Sequence, residues 1–314
     1  MLLSKFLDPK NDFAFRRIFG SERNKDILIH FLNDMLTFRG EAIIKEVSFL
    51  KTVQDPDIAS KKQSIVDVLC VDEGGKKYIV EMQVARTKGF EKRAQYYAAK
   101  AYINQLNRSE EYENLKEIIF LAITDFVMFP DKSSYKSDHM ILDRTSHERD
   151  LKDFSFTFVE LPKFKLGIDQ LKTMTEKWCY FFKHADETKE KEIDQITGSD
   201  IIIKRAYEEL DQFSWNEEEL NTYEQALKQQ RDARAIEAAK QEDFEKAKEK
   251  ALKEGIEKGK LEGKAEGKAE GKAEGIQEVA LNFLNLGLSL EKVSEATGLS
   301  ISVLEELKKS HLPR

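Results

Sequence analysis

Two runs that are otherwise apolar and β-branched each carry one carboxylate: Ile65-Val66-Asp67-Val68-Leu69 and Ile79-Val80-Glu81-Met82-Gln83-Val84. Burying an unpaired charge is costly, so each acid needs a cation, a hydrogen-bond network or an exposed strand face. Side chains alternate along a strand, which sends Glu81 and Gln83 to the same face. Asp72-Glu73-Gly74-Gly75 between the runs is turn chemistry and makes the two strands antiparallel neighbours. Asp67 and Glu81 could then share a divalent metal. Mg²⁺ or Mn²⁺ suits such a pair, because a hard cation takes oxygen ligands from one or two carboxylates and keeps several waters. It can polarise a phosphate and generate hydroxide near neutral pH. The competing reading is purely structural, with both acids neutralised by Lys61, Lys62 or Arg93.

The elements that must position these acids follow from spacing and composition. Residues 13–19 and 24–36 have helical apolar spacing. Residues 46–50, 64–71 and 77–85 read as three strands, the last two forming a hairpin. A long helix is expected over 90–106 and another buried strand over 117–124. The order is α-β-β-β-α-β within residues 1–125. Residues 126–215 form a mixed α/β extension packed on that core, with a strand over 155–161 and amphipathic helices over 169–185 and 200–215. Trp178 and Trp215 in this span are core anchors.

Residues 216–275 are charged and helix-forming, and they end in a Glu-Gly-Lys-Ala repeat running from 262 to 275. Four-residue spacing places Gly263, Gly267 and Gly271 on a slowly drifting stripe. Each glycine costs a helix about 1 kcal/mol relative to alanine. The repeat reads as a soluble spacer or, more sharply, as a small-residue stripe for helix pairing in an oligomer. Residues 276–314 form a helical hairpin, with Gly298 at its turn and Ser300 as an N-cap. The pattern is similar to a helix-turn-helix, but Ile301, Ser302, Val303, Leu304, Glu305 and Glu306 offer a DNA groove none of the usual base-reading side chains. A protein-contact hairpin is the better reading.

Composition limits the function classes. Of the 314 residues 35% are charged and the net charge is -7, which counts against a globally basic nucleic-acid binder. Positive charge is nevertheless gathered at Lys61, Lys62, Arg86, Lys88, Lys92, Arg93 and Lys100. No stretch reaches the roughly 20 apolar residues of a membrane span, and the first six residues do not read as a signal peptide. Cys70 and Cys179 are expected to be buried thiols in a reducing cytoplasm. The five histidines show no metal-ligand spacing, and neither a phosphate-binding glycine loop nor a Ser/His/Asp arrangement is evident.

Several stretches together resemble the Rpn family of recombination-promoting nucleases, also labelled transposases, within the PD-(D/E)XK nuclease superfamily. They are residues 10–20 (Lys-Asn-Asp-Phe-Ala-Phe-Arg-Arg-Ile-Phe-Gly), 46–50, Lys62 with Ile65-Val66-Asp67-Val68, Val80-Glu81-Met82-Gln83, and 93–102 with Gln105. Residues 160–164 and 296–300 extend the likeness to nearly the whole chain apart from the repeat. The resemblance implies a restriction-endonuclease-like α/β core followed by a mostly helical C-terminal extension, and metal-dependent cleavage of DNA. Carried over, Asp67 and Glu81 are the two acids, and Gln83 stands where the superfamily usually has lysine. Gln can orient a water but supplies no charge, so Lys62 or Arg93 is expected to provide it. Asp55-Pro56-Asp57 imitates the motif's name but lies in no strand and reads as a loop. Asp12 matches a family position near the first helix and is either a further metal acid or a helix cap or ion-pair partner of Arg16. Arg93, Tyr96 and Gln105 recur at helical spacing and are expected to meet DNA phosphate or groups around the site. Tyr97 and Tyr102 are packing residues.

Three classes of function compete. The first is a Mg²⁺-dependent DNA endonuclease acting in recombination, mobile DNA or defence. The second is a catalytically weak or inactive DNA-binding protein keeping the fold, which Gln83 and the acidic balance favour. The third is a homo-oligomer assembled through the C-terminal helices, compatible with either.

Overall fold

A computed structural model describes residues 5–54, 64–106 and 111–311. Lys61, Lys62 and the Asp55-Pro56-Asp57 stretch lie outside the described residues. The chain divides into two compact units, Met1–Ala238 and Ala239–Arg314.

In the first unit, helices α1 (Asp12–Phe19) and α2 (Lys25–Met35) precede strands β1 (Val47–Phe49), β2 (Val53–Gln54), β3 (Ser64–Ile65), β4 (Val68–Asp72) and β5 (Lys77–Gln83). Then come α3 (Phe90–Ile103), β6 (Ile118–Thr124), β7 (Lys136–Met140), β8 (Phe154–Glu160), α4 (Met174–His184), α5 (Ile193–Thr197), α6 (Ile201–Glu209) and the start of α7 (Glu217–Asn285). Six strands make one sheet in the order β1-β4-β5-β6-β8-β7, while β2 and β3 pair separately. β4 and β5 are antiparallel, β5, β6 and β8 are mutually parallel, and β7 runs antiparallel at the edge. The α-β-β-β-α-β order expected of the core is present, and the 126–215 span completes the same sheet with β8 and β7.

Burial explains the layering. β6 is buried along its whole length and reads as a continuous apolar run, as a strand covered on both faces must. Val68, Val80, Met82, Leu121 and Val159 point into the larger core, with α1, α2, α4 and α6. Leu69, Ile79, Phe120 and Ala122 point the other way, against α3. The small buried residues Ala94, Ala98 and Ala101 let α3 lie close to the sheet. At the β4–β5 turn, Asp72 accepts from the Gly74 and Lys76 amides at 2.8 and 2.9 Å, and Gly75 takes φ +85°, where an L side chain would be strained. Both tryptophans are buried, and both cysteines are free and buried.

The strand expected over 64–71 is interrupted. The β4 ladder begins only at Val68, and Asp67 stands in the break between β3 and β4. Short polar side chains that bond to nearby backbone compete with a regular ladder, and Asp67 does so here.

The second unit contains most of α7, followed by α8 (Leu290–Thr297) and α9 (Ile301–His311). α7 is continuous through the glycine repeat, where nothing lies within 4 Å of the position a Cβ would take at Gly263, Gly267 or Gly271. Glu–Lys pairs four residues apart, such as Glu242–Lys246 at 2.6 Å and Glu249–Lys253 at 2.7 Å, support it locally. Gly298 ends α8 at φ +72°, Ser300 Oγ accepts from the Val303 amide at 3.4 Å, and Ala280, Val293 and Leu304 form a small separate core. Among the described residues no helix is long and apolar enough to cross a membrane.

Candidate active site

The β4–β5 register pairs Val68 with Val80 and Leu69 with Ile79. Extended by one residue, it sets Asp67 opposite Glu81. There the acids replace the ladder: the Asp67 amide donates to Glu81 Oε1 at 3.3 Å, and the Met82 amide donates to Asp67 Oδ2 at 3.0 Å. Each carboxylate thus closes a hydrogen bond that a backbone carbonyl would otherwise make. Both are buried, Glu81 at 3% exposure and Asp67 at 9%.

Gln83 follows on the same face as Glu81. Its Nε2 donates to Glu81 Oε2 at 2.9 Å, and its Oε1 accepts from Arg93 Nη2 at 2.6 Å. Arg93 comes from α3, its guanidinium 4.8 Å from the Phe90 ring centroid and 5.9 Å from that of Tyr97. The chain Arg93–Gln83–Glu81–Asp67 therefore runs from the α3 layer into the sheet. From the opposite layer, Arg16 of α1 reaches Asp67 Oδ1 at 2.9 Å. Asn11 caps α1 by accepting from the Phe13 and Ala14 amides, and Ala14, Phe15, Ile18 and Phe19 anchor the buried side of that helix.

Arg16 compensates the pair only in part. Burial pushes the Glu81 carboxyl well above the usual range, and the facing Asp67 charge adds to the effect. Burial raises Asp67 too, against the Met82 amide and Arg16, which favour its ionised form. Two ionised acids held this way cost several kcal/mol unless a positive charge compensates. Asp67 and Glu81 are hard oxygen donors, and carboxylate oxygens that accept one hydrogen bond retain lone pairs. The donor set fits a divalent cation such as Mg²⁺ or Mn²⁺. Among the described residues no group of three or more His, Cys, Asp and Glu that could hold a metal is present. Water would have to complete the coordination, as it commonly does for Mg²⁺.

The other expected site residues are distributed unevenly. Asp12 is near enough for its charge to raise Asp67, but its Oδ1 accepts from Gln230 of α7 at 3.1 Å, and Arg16 pairs with Asp67 instead of with Asp12. Tyr96 is exposed on α3. Gln105 is not brought to the acids. Its amide clamps Lys116, donating to the carbonyl at 2.9 Å and accepting from the N–H at 3.0 Å, just before β6. Glu81 pairs with Ala122, toward the other end of that strand. Lys62 lies outside the described residues.

Three side-chain contacts were not foreseen from the sequence. Arg16, expected only as an ion-pair partner of Asp12, meets Asp67 across 51 residues. Gln230 and Arg234 of α7 reach the same region. Gln230 donates to the Lys10 carbonyl and to Asp12, while Arg234 contacts Asp125 Oδ2 at 2.7 Å and the Val84 carbonyl at 3.4 Å.

Residues 9–239 match the family described as PD-(D/E)XK nuclease family transposase. No curated protein and no solved structure matches the chain.

Proposed function

This chain belongs to the PD-(D/E)XK nuclease family transposases, and from that premise we propose that it is a metal-dependent DNA endonuclease whose centre is the Asp67–Glu81 pair. The observation that carries this reading is the facing of two buried carboxylates across one antiparallel strand pair, each bonded to the other residue's side of the break. A bound Mg²⁺ or Mn²⁺ would polarise the scissile phosphate and lower the pKa of a water. Asp67 and Glu81 would hold the ion. Gln83 would orient the attacking water through the amide that now spans Glu81 and Arg93. Arg93, packed on two rings and bonded to Gln83, would fix that amide's orientation.

A second reading rests on Gln83. It brings no charge to the place where the superfamily's lysine usually stands, which favours a protein that binds DNA and cleaves it poorly. Plasmid cleavage by the purified chain, with Mg²⁺ or Mn²⁺ and with EDTA, separates the two. Nicking or linearisation that needs metal supports the enzyme. Binding that survives EDTA, without cleavage across several metals and DNA forms, supports the alternative. A role in recombination, mobile DNA or defence follows from the first outcome only. Homo-oligomerisation through the C-terminal helices would set two such sites on the two strands of a duplex. A monomeric mass by light scattering, unchanged on deleting residues 276–314, would contradict it.

A further inference from the structure

Two arginines flank the acid pair, and they are held very differently. Arg93 is anchored: its guanidinium lies against Phe90 and Tyr97 and donates to Gln83 at 2.6 Å. Arg16 reaches Asp67 Oδ1 through one nitrogen at 2.9 Å, and its side chain is 51% exposed whereas that of Asp67 is 10% exposed. The acid is fixed and the cation is the movable member. Its neighbour Arg17 shows the opposite arrangement, 15% exposed, ion-paired with Glu209 and Glu219 and 4.5 Å from the Trp215 ring centroid. Consecutive arginines on one helix thus divide into a packing residue and a residue directed at the candidate site.

The atom that Arg16 engages, Asp67 Oδ1, is one that a divalent cation at the pair would also seek. Both cations cannot share that oxygen at low cost, because like charges repel strongly in a poorly solvated site. The site also lacks a cation at position 83. A planar guanidinium matches two phosphate oxygens at once and stays charged at any working pH.

We propose that Arg16 is a substrate-binding residue of this site, exchanging Asp67 for a DNA phosphate when a divalent cation takes up Asp67. Arg16 then serves two states of one centre. Without metal it partly neutralises Asp67, and with metal and DNA it holds the phosphate while Arg93 remains on Gln83. This inference rests on the nuclease reading above.

The test compares full-length wild type with Arg16→Ala, Arg16→Lys and Arg16→Gln. Mn²⁺ affinity is measured by calorimetry without DNA, and single-turnover plasmid cleavage is measured at saturating Mn²⁺. Circular dichroism melts verify folding, and Arg16→Gln retains a hydrogen bond to Asp67 should Arg16→Ala fail to fold. The proposal expects Arg16→Ala and Arg16→Gln to bind Mn²⁺ at least as tightly as wild type, up to about tenfold tighter, because a competitor is gone. It expects their cleavage to fall on the order of 100-fold, with Arg16→Lys recovering part of the loss. Cleavage at the wild-type rate by folded Arg16→Ala overturns the proposal. So does a tenfold or greater weakening of Mn²⁺ binding, which would make Arg16 only an orienting partner of Asp67. If folded wild type neither binds Mn²⁺ nor cleaves, the nuclease reading itself falls and takes this inference with it. Failure confined to the variants leaves that reading standing.

Discussion

Glu81 and Glu160 are both almost fully buried on one sheet, at 3% and 1% exposure, yet their surroundings are opposite. Gln83, two residues beyond Glu81, pairs with Thr124, and Thr124 pairs with Glu160, so the two acids sit near the same end of the sheet. Glu160 accepts from Lys163 Nζ at 2.8 Å and from the Met128 and Phe129 amides at 2.6 and 3.0 Å. It has a dedicated cation and two backbone donors, and it ties the 128–129 segment to β8. Glu81 receives a backbone amide and a neutral side-chain amide, and it faces a second acid. A buried acid that is fully compensated is a structural member. A buried acid that faces another acid and takes only neutral hydrogen-bond donors, with Arg16 on its partner and Arg93 one residue removed, is less fully compensated and has room for a further cation.

The contrast can be broken at either acid. Glu160→Ala should destabilise the protein by about 3–5 kcal/mol in urea or thermal unfolding, because it leaves two amides without an acceptor and Lys163, which keeps only the Phe129 carbonyl, without its counter-charge. Glu81→Gln should cost far less in EDTA at pH 8, within about 1 kcal/mol of wild type, since removing the like-charge contact offsets the one acceptor that the amide cannot supply. Equal destabilisation by both substitutions would erase the distinction.

Acidity sharpens it further. The folded-state pKa of Glu81 is raised to about 8 and that of Asp67 is also raised, both chiefly by burial. Raised carboxyls bind protons more tightly in the folded state. Their contribution is therefore full below the ordinary carboxylate range and is lost as pH rises through the folded values. In EDTA, this pair should make the melting temperature fall between pH 5 and pH 8.5, and Glu81→Gln should flatten that fall. Added Mn²⁺ should restore more stability at pH 8 than at pH 6, because it binds the deprotonated acids. A metal effect independent of pH would count against the pair as the binding site. The smallest effect is expected at Gln105. Its two bonds to Lys116 lie away from the acids, so Gln105→Ala should cost about 1 kcal/mol or less and leave cleavage intact.

What the sequence revealed and what it hid have physical reasons. Asp67 and Glu81 were visible because a charge inside an apolar β-branched run violates the pattern around it, and the short turn fixed their pairing. The α-β-β-β-α-β order and the buried β6 were visible from periodicity and composition. The break at Asp67 was not, because it arises from a side chain competing with the ladder and not from a glycine or proline. β7 reads Lys-Ser-Asp-His-Met, and its place at the edge of the sheet relieves it of the apolar alternation that announces inner strands. Arg16 and Gln230 were hidden because their partners lie 51 and 218 residues away. No local spacing encodes a contact of that kind.

The most direct test of the Asp67–Glu81 centre is cleavage of plasmid DNA by Asp67→Asn and Glu81→Gln beside wild type, in Mg²⁺, at equal folded fraction by circular dichroism. Wild type should cleave, and each variant should lose activity on the order of 100-fold or more while remaining as well folded as wild type. Variants that cleave like wild type would contradict it and move the chemistry elsewhere in the chain.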